Sequence, residues 1–310
     1  MKDIEERSPR GVVFGSWKIW WKTSRPFTLI ASACPVMVGT TLAAYEGVFH
    51  ANTLFITFIW YLFYQIGTNY FNEYYDYLYH LDHHQSLGAM KVIFRNEMTP
   101  HQVLWGGIIS YGIAILFSLV LIYQFGLLIL LVGIIWMLIG YFYSAKPLQL
   151  ACLGLGDVAV YLVMGFSMTC ISYYVQIPHW SWRAFVASVA VGLLATAMLN
   201  MNNVRDYADD LAVNKRTLPV RFGLKFGQRF HIVLLIGSYA VITFFSLVGF
   251  FPLSSIAVWL TFPWAFRNMR AVLGTTERKV FIASMKQTAL LHFLFSMILA
   301  LSIIIAIWLR

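Results

Sequence analysis

Asn202-Asn203-Val204-Arg205-Asp206-Tyr207-Ala208-Asp209-Asp210, followed by Lys215-Arg216-Thr217, is a polar stretch closing a long apolar run, and its reading decides how the rest of the chain is laid out. An earlier stretch has the same character: Asn69-Tyr70-Phe71-Asn72-Glu73-Tyr74-Tyr75-Asp76. On a helix Asn69, Asn72, Glu73 and Asp76 fall at i, i+3, i+4 and i+7, and Asn202, Asp206 and Asp210 at i, i+4 and i+8, so each set lines one face. Hard oxygen donors gathered from two helices, with fixed cations just beyond, are what a site needs to hold Mg²⁺ and, through it, a diphosphate.

The surroundings of these stretches are those of a membrane. Of 310 residues 60% are hydrophobic and only 11% charged, and the mean hydropathy is +0.71, which would leave a water-soluble fold with too much apolar surface. The formal charge of +9 does not point to nucleic acid, because the basic residues sit between apolar runs and form no continuous stripe. Cys34, Cys152 and Cys170 have neither CxxC nor His-Cys spacing, so they read as inert thiols and not as a disulfide framework or a zinc site.

Apolar runs near the roughly 20 residues needed to cross a bilayer recur at 26–45, 53–75, 102–122, 126–143, 156–176, 182–202, 230–249, 253–271 and 288–308. The fold expected is all-α, with nine transmembrane helices around a central cavity open to the cytoplasmic side. Gly106, Gly107, Ser110 and Gly112, and likewise Gly192, Ala195 and Ala197, are small residues suited to close helix packing. Residues 1–25 carry six Lys or Arg and no apolar core with a cleavage site, so they are expected to stay, as a cytoplasmic segment whose Trp17, Trp20 and Trp21 lie at headgroup level. Residues 26–310 form the nine-helix domain. Assigning loops to alternate sides leaves only Arg183 and Arg310, of 22 basic residues, on the far face. The N-terminus and both acidic stretches are thereby assigned to the cytoplasmic side of an inner, or cytoplasmic, membrane.

Carboxylates inside a span cost about 2.5–3.5 kcal/mol each at mid-bilayer, so Glu73 and Asp76, sharing a face with Asn69 and Asn72, imply a polar cavity. His80, His83 and His84 flank Asp82, but no second cluster at zinc spacing accompanies them. Asp157 either orients a substrate or caps the helix that follows it.

These residues carry a resemblance. RPFTL at 25–29, NYFNEYYD at 69–76, KVIFRNEMTPHQV at 91–103, GLGD at 154–157 and NNVRDYADDLAVNKRTLPVRFG at 202–223 resemble the UbiA superfamily of intramembrane prenyltransferases, and within it the 1,4-dihydroxy-2-naphthoate polyprenyltransferase branch of menaquinone biosynthesis. The two acidic segments are the specific part of the match. The resemblance implies that Asn72, Asp76, Asp206 and Asp210 are the catalytic metal and diphosphate ligands, with Glu73 and Asp82 also on Mg²⁺. It further implies substrate contacts from Asn69, Lys91, Arg95, Asn202, Asn203, Arg205, Lys215 and Arg216. Glu73 and Lys91 depart from the usual pattern, as do His80, Ser144, Ala145 and Asn214; Glu still ligates Mg²⁺, while Lys lacks the bidentate phosphate geometry of Arg.

The function expected is Mg²⁺-dependent transfer of a polyprenyl group from its diphosphate to an aromatic acceptor, 1,4-dihydroxy-2-naphthoate, in contact with membrane lipid and without nucleic acid. Two rivals stand beside it. A terpene cyclase of the same superfamily would use the same acids, and a transporter would also place polar residues in membrane helices, though nearer the midplane and with inverted repeats.

Overall fold

The computed structural model describes residues 16–81 and 91–309, and every regular element among them is helical. Asp82, His83, His84 and the first fifteen residues lie outside the described residues. In order the helices are α1 (Trp17–Thr23), α2 (Pro26–Tyr45), α3 (Ala51–Leu78), α4 (Pro100–Phe125), α5 (Leu127–Phe142), α6 (Gly156–Val160), α7 (Met168–Tyr174), α8 (Trp182–Arg205), α9 (Tyr207–Ala212), α10 (Leu218–Phe222), α11 (Leu224–Leu247), α12 (Phe262–Val272) and α13 (Arg278–Trp308). A π-helical stretch, Tyr161–Ser167, joins α6 to α7 in one rod, and a 3-10 segment, Leu253–Thr261, runs into α12.

Local chemistry sets several boundaries. Pro26 and Pro100 open α2 and α4, where the missing amide hydrogen costs nothing. The Thr99 hydroxyl accepts from the Gln102 amide at 3.2 Å while Gln102 Oε1 accepts from the Thr99 amide at 2.9 Å, a reciprocal cap on α4. Gly126, at φ 74°, reverses the chain between α4 and α5.

Six helical rods among the described residues are long and apolar enough to cross a membrane: α2, α4, the α6–α7 rod, α8, α11 and α13. The other three expected spans fall short for different reasons. Helix α3 has the length, 28 residues, but its C-terminal half carries the first acidic stretch. Helix α5 has 16 residues and reaches roughly 24 Å, against a hydrocarbon core of about 30 Å. Residues 253–272 divide into the 3-10 segment and α12, where Arg267, Asn268 and Arg270 lower the apolarity. Helix α13 starts at Arg278, ten residues before the expected 288.

Packing forms two main groups. In one, α2, α8, α11 and α13 bury Cys34, Leu194, Tyr239 and Phe295; in the other, α3, α4, α5 and the α6–α7 rod bury Trp60, Tyr64, Tyr111 and Trp136. The rod meets α8 so closely that a Cβ on Gly165 would stand 2.2 Å from the Gly192 Cα. The expected packing role therefore holds at Gly192, and at Gly106 and Gly107 beside Tyr70 and Phe71, whereas a Cβ added at Gly112 would meet no other part of the fold within 4 Å. Outward-facing Ile109, Leu116, Leu119, Leu131 and Ile135 on α4 and α5 leave an apolar exterior suited to lipid. Trp17 and Trp21 of α1 are exposed, while Trp20 packs on Tyr70 and Lys22 pairs with Glu97 at 2.9 Å.

Candidate active site

The two acidic stretches converge. Asn72 and Asp76 from α3 face Asn202, Asn203, Asp206, Asp209 and Asp210 from the α8–α9 region across a polar cavity of about 90 Å³, with Arg25, Lys91 and Lys215 on its walls. A second, mostly apolar chamber of about 230 Å³ adjoins it and shares Arg25, Asn72, Tyr143, Leu199 and Asn202 as lining. Its depth is walled by Tyr64, Val163, Met164, Ala195 and Met198, and Phe27, Met285 and Lys286 stand at its edge.

The second stretch is not one continuous helix. Helix α8 stops at Arg205 and α9 begins at Tyr207, with Asp206 at the joint (φ −93°, ψ 7°). The Asp210 amide still donates to the Asp206 carbonyl at 2.8 Å, so the break re-aims the acids without separating them. Asp206 is already paired: Arg205 donates to Oδ1 at 2.8 Å and to Oδ2 at 2.5 Å, and Arg278 reaches Oδ1 at 3.3 Å. Arg205 also donates to Asn202 Oδ1 at 2.6 Å.

These pairings set the acidities. Burial pushes the Asp206 carboxyl up, but the bonds and charge of Arg205, with Lys215 and Arg278, hold it below its ordinary value. Asp210 goes the other way: burial raises it to about 6, with Lys215 opposing and Asp206 adding to the rise. Burial alone would lower the Lys215 ammonium; Asp210, at 3.5 Å, together with Asp76 and Asp206, holds it above its usual value. The Asp210–Lys215 pair is therefore lopsided, its acid crowded by other carboxylates and its base held charged.

On the other wall, the Asn72 Nδ2 donates to the Ser144 hydroxyl at 2.8 Å, which fixes the amide so that its carbonyl oxygen is the group left for a cation. Arg25 and Lys91 both adopt left-handed backbone, at φ 55° and 47°. Such positions cost about 1–3 kcal/mol and cluster at functional sites.

Other expected residues take different places. Glu73 is absent from the cavity lining: its Oε1 accepts from the Val92 amide at 2.6 Å and its Oε2 meets Arg25 at 3.5 Å, so it supports the segment carrying Lys91. Asn69 lines the apolar chamber, where its Nδ2 donates to the Ser24 carbonyl and the Thr28 hydroxyl, each at 2.8 Å. Arg95 and Arg216 are exposed and line neither cavity; the Arg216 carbonyl accepts from Arg221 at 3.1 Å. Asp157 makes no side-chain capping bond; its Oδ2 accepts from Asn203 at 3.3 Å. Sequence reasoning gave no role to Tyr143, which joins the two cavities, or to Arg278, which meets Asp206 and Asp209 from the last helix. Arg25, which belongs to the basic N-terminal segment and the RPFTL motif, also lines both cavities, and a basic residue opening an apolar span is the signal for it.

Among the described residues no three His, Cys, Asp or Glu side chains cluster tightly enough to hold a metal alone. The donor set nevertheless fits Mg²⁺, which usually takes one or two carboxylates and completes its shell with water and substrate phosphate oxygens. Asp76, Asp210 and the Asn72 carbonyl supply such donors around a cavity with room for a phosphate group.

Comparison with known proteins identifies the family and the fold. The UbiA prenyltransferase family matches residues 32–294. The chain is 31% identical to a 1,4-dihydroxy-2-naphthoate octaprenyltransferase of Bacillus subtilis (strain 168), covering 93% of each chain. It is 30% identical to the protein of the same name from Escherichia coli (strain K12), over 78% of this chain and 79% of that one. A solved UbiA homolog from Archaeoglobus fulgidus bound to DMAPP and Mg²⁺ shares the fold at a TM-score of 0.62 and 15% identity, over 90% of this chain and 98% of that one. The chain belongs to the UbiA prenyltransferase family and is a prenyltransferase.

Proposed function

We propose that the protein transfers a polyprenyl group from a polyprenyl diphosphate to an aromatic acceptor, 1,4-dihydroxy-2-naphthoate, with Mg²⁺ at the polar cavity. The observation that carries this reading is the direct adjoining of a carboxylate-and-cation cavity to an apolar chamber: one end suits a metal-bound diphosphate, the other an isoprenoid chain. Asn72, Asp76, Asp206 and Asp210 would hold Mg²⁺, and when bound the metal supplies neutralisation of the departing diphosphate's charge. Lys215, Lys91 and Arg25 add fixed positive charge at the same cavity, so leaving-group charge is stabilised without reorganisation. Tyr64 and Tyr143 present aromatic rings in the chamber, where positive charge develops on the allylic carbon. The apolar walls keep water from that carbon, which favours attack by the acceptor.

In this reading the protein spans the cytoplasmic membrane nine times, with α3, α5 and residues 253–271 completing the six more apolar rods. Its N-terminus and polar cavity face the cytoplasm, as the distribution of basic residues supports. The acceptor is supported by the names of the relatives and by the sequence segments resembling that branch.

The experiment is mass spectrometry of products after the purified protein is incubated with Mg²⁺ and polyprenyl diphosphates, with and without dihydroxynaphthoate. A prenylated acceptor is expected. A cyclised hydrocarbon in its place would establish the cyclase alternative, and release of diphosphate without any acceptor product would remove the naphthoate assignment.

A further inference from the structure

We propose that Arg278, at the first turn of α13, is a positioning residue that fixes the second acidic segment in the shape that takes up Mg²⁺ with the donor diphosphate. This rests on the function proposed above. Its carrier is a set of contacts that chain-local pattern does not disclose, since Arg278 lies 69 residues beyond Asp209 and 72 beyond Asp206.

The guanidinium straddles the helix break. Nη1 donates to Asp209 Oδ1 at 3.3 Å, Nη2 donates to Asp209 Oδ2 at closer range, and Nη2 also reaches Asp206 Oδ1 at 3.3 Å. One acid belongs to the joint itself and the other to the first turn of α9, so a single planar group spans both sides of the joint. Holding Asp209 toward α13 sets the rotation of α9. Asp210, the next residue, then points about 100° further round the helix, where it meets Lys215 at 3.5 Å beside the polar cavity.

The chemistry favours Arg for this task. A guanidinium fork can engage one carboxylate through two N–H groups and still offer a hydrogen bond to a second acid, while a Lys ammonium is a point charge without fixed directions. These are not fully exposed pairs of the kind that contribute little: side-chain exposure is 25% for Arg278 and 14% for each of the two acids. Arg205 grips both oxygens of Asp206 as well, so the orientation this acid offers to a metal is set jointly by both arginines.

A plain anchor for α13 would make the same contacts, and the two roles separate in binding. The test is calorimetric titration of geranyl diphosphate into the full-length protein in detergent at a series of Mg²⁺ concentrations, alongside thermal melting. Arg278→Gln is expected to raise the Mg²⁺ concentration for half-maximal binding by about 10- to 100-fold, the usual effect of losing a group that orients a metal ligand. Asp209→Asn should shift it in the same direction, and Arg278→Lys should restore it only in part. If Arg278→Gln does not fold, the other two variants carry the test. An unchanged Mg²⁺ requirement in folded variants, with or without a lower melting temperature, would overturn the positioning role. Absence of Mg²⁺-dependent binding in the parent protein would instead sink the prenyl diphosphate reading on which it rests.

Discussion

Asn72 shows how a single side chain is prepared for its task. Its amide nitrogen is spoken for by Ser144, so only its carbonyl oxygen remains to face a cation. Glu73, the next residue, is turned to another use, holding the Val92 amide and Arg25. Glu73→Ala would strand a buried donor, at a cost of about 1–3 kcal/mol. The expected result is a lower melting temperature and a raised KM for the prenyl diphosphate, through displaced Arg25 and Lys91, with little change in the Mg²⁺ requirement. A shift in Mg²⁺ half-saturation matching that of Asp210→Ala would restore Glu73 to the metal site. Helical spacing had put Asn72, Glu73 and Asp76 on one stripe, and it placed Asn72 and Asp76 at the cavity. Spacing does not tell which acid on a stripe finds a partner in the chain, since Val92 is 19 residues away and is brought there by tertiary folding.

At the scale of elements, hydropathy located the rods well because each needs about 20 mostly apolar residues to cross a bilayer. It located their polar ends less well: α11 and α13 begin at Leu224 and Arg278 because charged residues there continue the helix past the apolar run. The break at Asp206 was equally hidden, for Arg205-Asp206-Tyr207 contains neither Gly nor Pro to announce it. Close crossings were partly legible from small residues, and here a paired prediction separates packing from composition. Gly165→Leu should destabilise the protein by about 1–3 kcal/mol through overpacking against Gly192. Gly112→Ala, in open space, should not. Thermal melting in detergent compares the two, and equal effects would show that the α8 crossing is slack.

For the whole molecule, the two acidic stretches lie at one end of the fold, and the turns after α2 and α7 lie at the other. That far end is closed by Glu46, which accepts from Tyr173 and pairs with His179 and Arg183, each at 3.6 Å. Single cysteines at Ala212 and His179 in a cysteine-free background should therefore label from opposite faces of intact cells, Ala212 from the cytoplasm. Labelling from the same face would overturn the proposed topology. The all-helical, membrane-type layout was legible because hydropathy is a property of the whole chain. The joining of polar cavity to apolar chamber was not, because it depends on Tyr143, just past α5, and Leu199 of α8 lining both cavities from parts of the chain distant in sequence. The claim that this junction is a Mg²⁺–diphosphate site is tested most directly by turnover of polyprenyl diphosphate and dihydroxynaphthoate in excess chelator, after Mg²⁺ is restored, and in Asp210→Ala. The expected result is no product in chelator, full recovery with Mg²⁺, and a loss of about a hundredfold or more in the variant, comparable with removing one preorganised charge-stabilising group. Full activity in chelator, or near-parental turnover by a correctly folded Asp210→Ala, would contradict it.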